Sequence, residues 1–283
     1  TMRVVLSGSS LLSMTEGDAD LARRCINHDI QGLSFREFLH FYKGIKMPVY
    51  PLEQVLENPA PLIEEMNKHG RPIALLKEYL NYGYYPYYLN NETDYHIAIQ
   101  QVVNKIIDIE LPRICGVDLN NTRKIKSLLT ILCASVPFQV DITKLATLSG
   151  LKRDTIINYL SYLDKAKLIR LLYSDLKNIK RMQKPDKIYI DNTNLLNAWA
   201  TAPIQIGTIR ETFVANQLSV NHVVEFRKTN GDFLVDSKYT FEVGGDDKDF
   251  QQIANVADSF ILADDMETAI GKKLPIWVVG FDY

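Results

Sequence analysis

Three acidic side chains in the last quarter of the chain have the setting that phosphodiester chemistry uses. Glu211 falls on an amphipathic helix over Ile209–Leu218, Asp232 stands just before the strand Phe233-Leu234-Val235, and Glu242 lies within the strand Tyr239-Thr240-Phe241-Glu242-Val243. Carboxylates from a helix and two strands can hold Mg²⁺, which polarises a phosphate, while a lysine two residues past the strand glutamate orients the attacking water. That position is Gly244, so the water-activating arrangement is degraded unless Lys248 or Lys228 reaches in. Residues 208–283 also carry 7 Lys+Arg against 13 Asp+Glu, a poor surface for a polyanion. Two alternatives stay open here: a Mg²⁺-dependent nuclease, or a structural relic or protein-binding module. No separate metal site is expected. The five histidines are scattered without paired spacing, and each reads as a surface or helix histidine.

A second set is basic. Residues 116–187 hold 14 Lys+Arg against 6 Asp, a net of +8, within a chain whose net charge is −2. That asymmetry points to one segment with an anionic partner. Lys152, Arg153, Thr155, Asn158 and Tyr159 occupy the start and the expected outward side of a helix that could lay side chains on base edges or phosphates. Lys177, Lys180, Arg181, Lys184 and Lys187 sit in and after a basic loop that could track a phosphate backbone. DNA is the expected partner, with protein docking the alternative for the same module.

The third set is nucleotide chemistry. Met2-Arg3-Val4-Val5-Leu6 reads as a buried strand that breaks at Ser7-Gly8-Ser9-Ser10, which could bring Ser9 or Ser10 near a γ-phosphate. The adjacent Arg23 and Arg24 could neutralise transition-state charge. No GxxxxGK[ST] loop occurs, so this chain by itself is not expected to hydrolyse ATP. A buried strand with no neighbour before it, opening on Thr1, is expected to be the continuation of a longer protein.

The elements that must position these residues follow from periodicity. Ser34 and Glu37 have capping-box spacing ahead of a short helix. Residues 46–115 read as mostly helical after a Pro-rich entry, and the tyrosines of Tyr82–Tyr88 read as packing around a Gly/Pro turn, with base stacking the alternative. A helix around Ile125–Cys133, a short helix at Ile142–Leu148, a Ser149-Gly150 turn, and a helix carrying Ile156, Ile157, Leu160 and Leu163 come next. Two strands, Leu168–Tyr173 and Lys187–Ile190, complete a winged helix-turn-helix pattern. Beyond residue 205, strands alternate with helices as in a small α/β domain, with a helix expected near Phe250–Ala257 and a last strand at Pro275–Gly280.

Bulk properties narrow the class. The chain has 283 residues, 46% hydrophobic and 23% charged, with no apolar run of membrane-spanning length and no secretory signal. Its three cysteines, Cys25, Cys115 and Cys133, form no CxxC pair and read as buried thiols of a cytoplasmic protein. No Gly-x-Ser-x-Gly elbow is present.

Several blocks in order, Leu6–Ser10, Ala19–Arg24, Leu33–Leu39, Tyr79–Pro86, Asp191–Leu195, Tyr239–Gly245 and Leu274–Trp277, together resemble a prokaryotic AAA-type (P-loop) ATPase family whose members join an ATPase core to a C-terminal region of unknown function. The resemblance spans essentially the whole chain. It implies an α/β and α+β multidomain fold: the end of a P-loop ATPase core at 1–45, a helical lid or linker at 46–115, a winged helix-turn-helix at 116–190, and a restriction-endonuclease-like α/β domain at 191–283. It also implies ATP and Mg²⁺ in the intact protein, bound mainly by residues upstream of Thr1. Ser9 corresponds to the polar nucleotide-sensing residue and Arg24 to a phosphate-facing arginine, while Arg23 stands where many relatives carry Gly.

Overall fold

A computed structural model of the chain describes residues 28–89, 94–134, 138–139, 141–174 and 184–283. The nucleotide-binding candidates Ser9, Ser10, Arg23 and Arg24 and the DNA-binding candidates Lys177, Lys180 and Arg181 lie outside the described residues. Helix α1 (Phe35–Lys43) starts with the capping box read from the sequence: Glu37 N donates to Ser34 Oγ at 3.1 Å, and Ser34 N donates to Glu37 Oε2 at 3.0 Å. Two orphan amides of the first turn are thereby satisfied. Helices α2 (Leu52–Glu57), α3 (Ala60–Asn67) and α4 (Pro72–Tyr82) each have a proline at or next to the start, where the missing N–H costs nothing. Helix α5 (Tyr95–Lys105) passes through a π-helical turn, Ile106–Glu110, into α6 (Leu111–Cys115).

The next elements are α7 (Thr122–Ala134), β1 (Phe138–Gln139), α8 (Ile142–Ser149), α9 (Arg153–Lys165), β2 (Ile169–Leu172) and β3 (Lys187–Ile190). Helix α8 is capped by Asp141, whose Oδ1 accepts from Thr143 N at 2.9 Å and Lys144 N at 3.1 Å. It stops at Gly150, whose φ of +65° is a left-handed conformation that a side chain disfavours, and this turns the chain sharply into α9. The three strands form an antiparallel sheet in the order β1-β3-β2, with Ile169 opposite Ile190 and Leu172 opposite Lys187.

Helices α10 (Thr193–Trp199) and α11 (Ile206–Leu218) lead into a five-stranded mixed sheet. Strands β4 (Val224–Phe226), β5 (Phe233–Val235) and β6 (Tyr239–Gly244) are antiparallel neighbours; β7 (Ser259–Ala263) and β8 (Lys273–Pro275) add in parallel. Two expectations fail here. Phe250–Ala257 makes successive turns with i to i+3 bonds, Ile253 N to Phe250 O and Val256 N to Ile253 O, both 3.0 Å. Ile253 and Val256 are its inward apolar residues, too narrow a face to hold a helix against the sheet. Residues Ile276–Phe281 form a 3₁₀-helix rather than a strand, and all six are buried, so no periodicity separated the two states.

Among the described residues, two large apolar cores and a small cluster around Ile253, Ile261 and Ala263 divide the molecule. The first joins Phe38, Met66 and Tyr79 of α1–α4 to Phe213 of α11, Phe241 of β6 and the indole of Trp277. The second joins Ile99, Leu128, Leu145, Leu160, Ile188 and Leu196, with Trp199 packed at its margin. The limits expected at residues 45 and 115 are not limits of these cores, because α1 packs on elements about 240 positions later in sequence. Burial of each large side chain stabilises by about 1.5–3 kcal/mol, which fixes α1 to the 3₁₀-helix at Ile276–Phe281 through Phe35 and Phe281. Among the described residues, no helix is long and apolar enough to cross a membrane.

Candidate functional site

The fold brings Glu211 of α11, Asp232 and Glu242 of β6 close enough for their charges to interact. Glu211 projects from a helix almost wholly buried beyond its first turn. Its Oε2 receives Lys187 Nζ at 2.5 Å and the Tyr189 hydroxyl at 2.5 Å. Asp232 receives Val243 N at 2.8 Å on Oδ2, while its own backbone pairs with Phe241 and Arg227. Glu242, 3% exposed, is ion-paired with Lys248. The Gln252 amide faces Glu242 as well, and with its oxygen and nitrogen exchanged its nitrogen would donate to Oε1 at 2.5 Å and Oε2 at 3.0 Å.

Gly244 explains how Lys248 arrives. A Cβ at residue 244 would stand 2.7–2.9 Å from three carbons of the Lys248 chain, so the bare backbone is the floor on which that side chain lies. The ammonium absent from the strand is supplied from the loop that follows it. Lys228, the other candidate, instead pairs with Asp186 at 3.1 Å.

Burial pushes the Asp232 carboxyl up to about 6, and the negative fields of Glu211 and Glu242 push in the same direction. Among the described residues, no three acidic, His or Cys side chains converge so as to hold a metal ion. The donor set therefore does not fit Mg²⁺ as arranged, because each glutamate already faces an ammonium.

Lys187 departs furthest from expectation. Read as a phosphate-tracking residue, it is 4% exposed, with its Nζ 5.1 Å from the Tyr189 ring centre and 5.2 Å from that of Phe226. Of the remaining basic-face candidates, Lys152, Arg153, Asn158 and Lys184 are exposed and Thr155 is half-buried. Tyr159 is not outward; at 6% exposure it joins Ile156, Leu160 and Leu163 in the second core. Its spacing of three from Ile156 and four from Leu163 carried that signal. Sequence reasoning missed Lys144 and Thr147, both exposed on α8. Lys144 and Lys184 both lie close enough to Asp141 to lower its carboxyl, after the backbone N–H groups of Lys144 and Thr143, which brings helix and hairpin base together.

Two further polar centres are structural. Asn194 is fully buried and uses both ends of its amide: Oδ1 accepts from Tyr84 N at 2.9 Å and the Tyr95 hydroxyl at 2.5 Å, and Nδ2 donates to Tyr79 O and Leu80 O at 3.0 Å. Within the tyrosine cluster Tyr84 is buried, Tyr82 and Tyr85 are half-buried and Tyr87 is exposed, while the neighbouring Tyr79 and Tyr95 are buried. His222 is clamped between Asp236, 2.6 Å from Nδ1, and Asp282, 3.0 Å from Nε2. The Asp282 bond, against partial desolvation, and then the Asp236 bond raise the imidazole to about 9. Cys133 is buried, and that burial pushes its thiol up to about 12, which keeps it inert as a nucleophile.

Residues 73–204 match the model of a family described as a domain of unknown function (DUF8612). The matched segment runs from α4 to just past α10 and nearly coincides with the second core. A protein of Methanocaldococcus jannaschii named as uncharacterized protein MJ1637 is 26% identical over 271 residues, covering 88% of this chain. The chain spans 57% of that relative's length. No solved structure matches.

Proposed function

We propose that this chain is the C-terminal portion of a longer AAA-type ATP-binding protein, in which α7–α9 with the β1–β3 sheet form a DNA-binding winged helix and the C-terminal unit is a nuclease-like scaffold that does not cleave. The observation that carries the DNA reading is the exposure of Lys152, Arg153 and Asn158 at the start of α9, beside exposed Lys144 on α8 and Lys184 at the hairpin base. A helix presented this way after a tight glycine turn offers its first side chains to a groove, and the hairpin lysine offers charge to the adjacent backbone. The non-cleaving reading is supported by the pairing of Glu211 with Lys187 and of Glu242 with Lys248. The ATPase reading rests on family resemblance; in the longer protein, Ser9, Ser10, Arg23 and Arg24 would complete a site for ATP and Mg²⁺ whose phosphate loop lies upstream.

Duplex DNA affinity measured by fluorescence anisotropy across a salt series tests this. Reversing both phosphate-facing charges, in Lys152→Glu/Arg153→Glu, should lower the slope of log affinity against log salt by about 2. Tyr159→Phe should leave it unchanged. Affinity flat in salt, or equal for the wild type and the charge-reversed protein, overturns the DNA reading in favour of protein docking. Mg²⁺-dependent cleavage that disappears in Asp232→Asn overturns the non-cleaving reading. ATP hydrolysis by the longer protein, abolished in Arg24→Ala, is the expected outcome for the motor portion.

A further inference from the structure

The carboxylate layer lies where the two sheets meet. On β3, Lys187 and Tyr189 are two residues apart and so point to the same face, and both bond one oxygen of Glu211 on α11. Phe226, whose ring lies under the Lys187 ammonium, belongs to β4, the edge strand of the five-stranded sheet. Its backbone N–H donates at 2.9 Å to the carbonyl of Tyr173, the residue after β2. A little further along, Asp186, just before β3, pairs with Lys228, just beyond β4, at 3.1 Å and accepts from Ser174 N and Oγ at 2.9 and 2.8 Å. The hairpin base is thus stitched to the β4 edge along both of its strands, with Lys187 at the centre. On the other side of the layer, Lys248 lies over Gly244 and meets Glu242.

We propose that Lys187 and Lys248 are built-in counter-ions of this acidic layer, standing in for the divalent cation such a layer would otherwise require, and that the Lys187–Tyr189–Glu211 junction is a metal-independent lock that makes the β1–β3 unit and the C-terminal sheet one rigid body. A buried carboxylate is strongly unfavourable unless a charge and hydrogen bonds meet it. Two glutamates are matched one for one by two ammonium groups. Asp232, between them, has the Val243 amide but, among the described residues, no ammonium of its own, and it is the carboxyl that burial and its neighbours push toward the protonated form. Phe226 and Tyr189 add ring faces on which the Lys187 charge rests, which suits an ammonium and not a hydrated divalent ion. The inference goes beyond the DNA reading and does not need it: a lock that fails leaves the salt dependence of Lys152 and Arg153 intact, and absent DNA binding leaves the lock intact.

Amide exchange of the whole chain tests the junction in Lys187→Met, Glu211→Gln and the double variant. Both single variants should speed exchange at Phe226 and across β2 at least tenfold more than at Phe241 and Ile261 in the centre of the second sheet. The double variant should be no worse than the worse single one, because the unpaired charge is gone. Equal acceleration in both places, or additive losses, overturns the lock. For Lys248, the readout is charge-specific. Glu242 faces Lys248, Gln252 and Asp232, so Lys248→Met leaves it buried beside a second acid. Lys248→Met should lower the melting temperature by several degrees, and Lys248→Met/Glu242→Gln should recover most of that loss, because the unpaired buried charge is gone. A double variant no more stable than Lys248→Met overturns the counter-ion assignment, as does a rise of several degrees in the wild-type melting temperature on adding Mg²⁺ or Mn²⁺.

Discussion

At the scale of single residues, Asp232 and His222 both hold their protons more tightly in the folded chain, so both contributions fade as pH rises, in different windows. Asp232 titrates near 6 in the folded chain against 3.8 as a free side chain, so folding binds its proton more tightly. Its contribution is most favourable below 3.8, declines as pH rises through 6, and is constant above that. Asp232→Asn should therefore raise stability at pH 8 by about 2–3 kcal/mol and leave it nearly unchanged at pH 4, read by urea unfolding. His222, raised from 6.5 to about 9, acts in the same direction in a higher window: its clamp is fully present below 6.5 and is lost as pH passes 9. His222→Gln should cost about 1–2 kcal/mol at pH 6, after discounting for solvent screening, and almost nothing at pH 10. Glu242 stands out in the sequence because a carboxylate between Phe241 and Val243 interrupts an apolar strand; Glu211 and Asp232 lie in or beside polar stretches and carry no such signal. The role of Lys187 is not legible either, because a lysine in a basic stretch is exposed by default and its partner lies on a later helix.

At the scale of elements, legibility follows the strength of the local signal. The Ser34 capping box, the Gly150 turn and the short β-branched and aromatic strands β4–β6 are readable because each rests on a handful of adjacent side chains. The turns over 250–257 and the 3₁₀-helix at Ile276–Phe281 are not, since tertiary packing decides whether a wholly apolar or thinly apolar segment coils or extends. Gly244 is a strand residue chosen for what crosses it. Gly244→Ala should cost about 1–3 kcal/mol, because the crowding carbons belong to the inner part of the Lys248 side chain and cannot simply swing away. Chemical denaturation at pH 8 reads that loss, and a neutral result would mean Lys248 lies elsewhere.

At the scale of the molecule, the sheets β1-β3-β2 and β4–β8 meet edge to edge at Tyr173 and Phe226, and the two cores meet at Asn194. Asn194 belongs to one of the blocks that carry the family resemblance, and its work is to satisfy the backbone of the Tyr79–Tyr84 turn between the cores. Asn194→Leu strands the Tyr84 amide, while Tyr79 O, Leu80 O and the Tyr95 hydroxyl keep Gly83 N, Asn197 Nδ2 and Tyr85 N; it should cost about 1–3 kcal/mol, with the unfolding transition splitting in two. The architecture as a whole was only coarsely readable, since contacts between α1 and the C-terminal 3₁₀-helix join residues whose separation in sequence leaves no local trace.

The two tryptophans fall one to each core: Trp277 is 1% exposed in the first, while Trp199 is half-buried at the margin of the second, with its ring nitrogen on Thr130. Nature has thus installed a separate optical reporter in each half of the molecule. Trp199→Phe would leave emission from the dry indole alone, and Trp277→Phe would leave the wetter, red-shifted one, so the order in which the halves melt can be followed by fluorescence without attaching any dye.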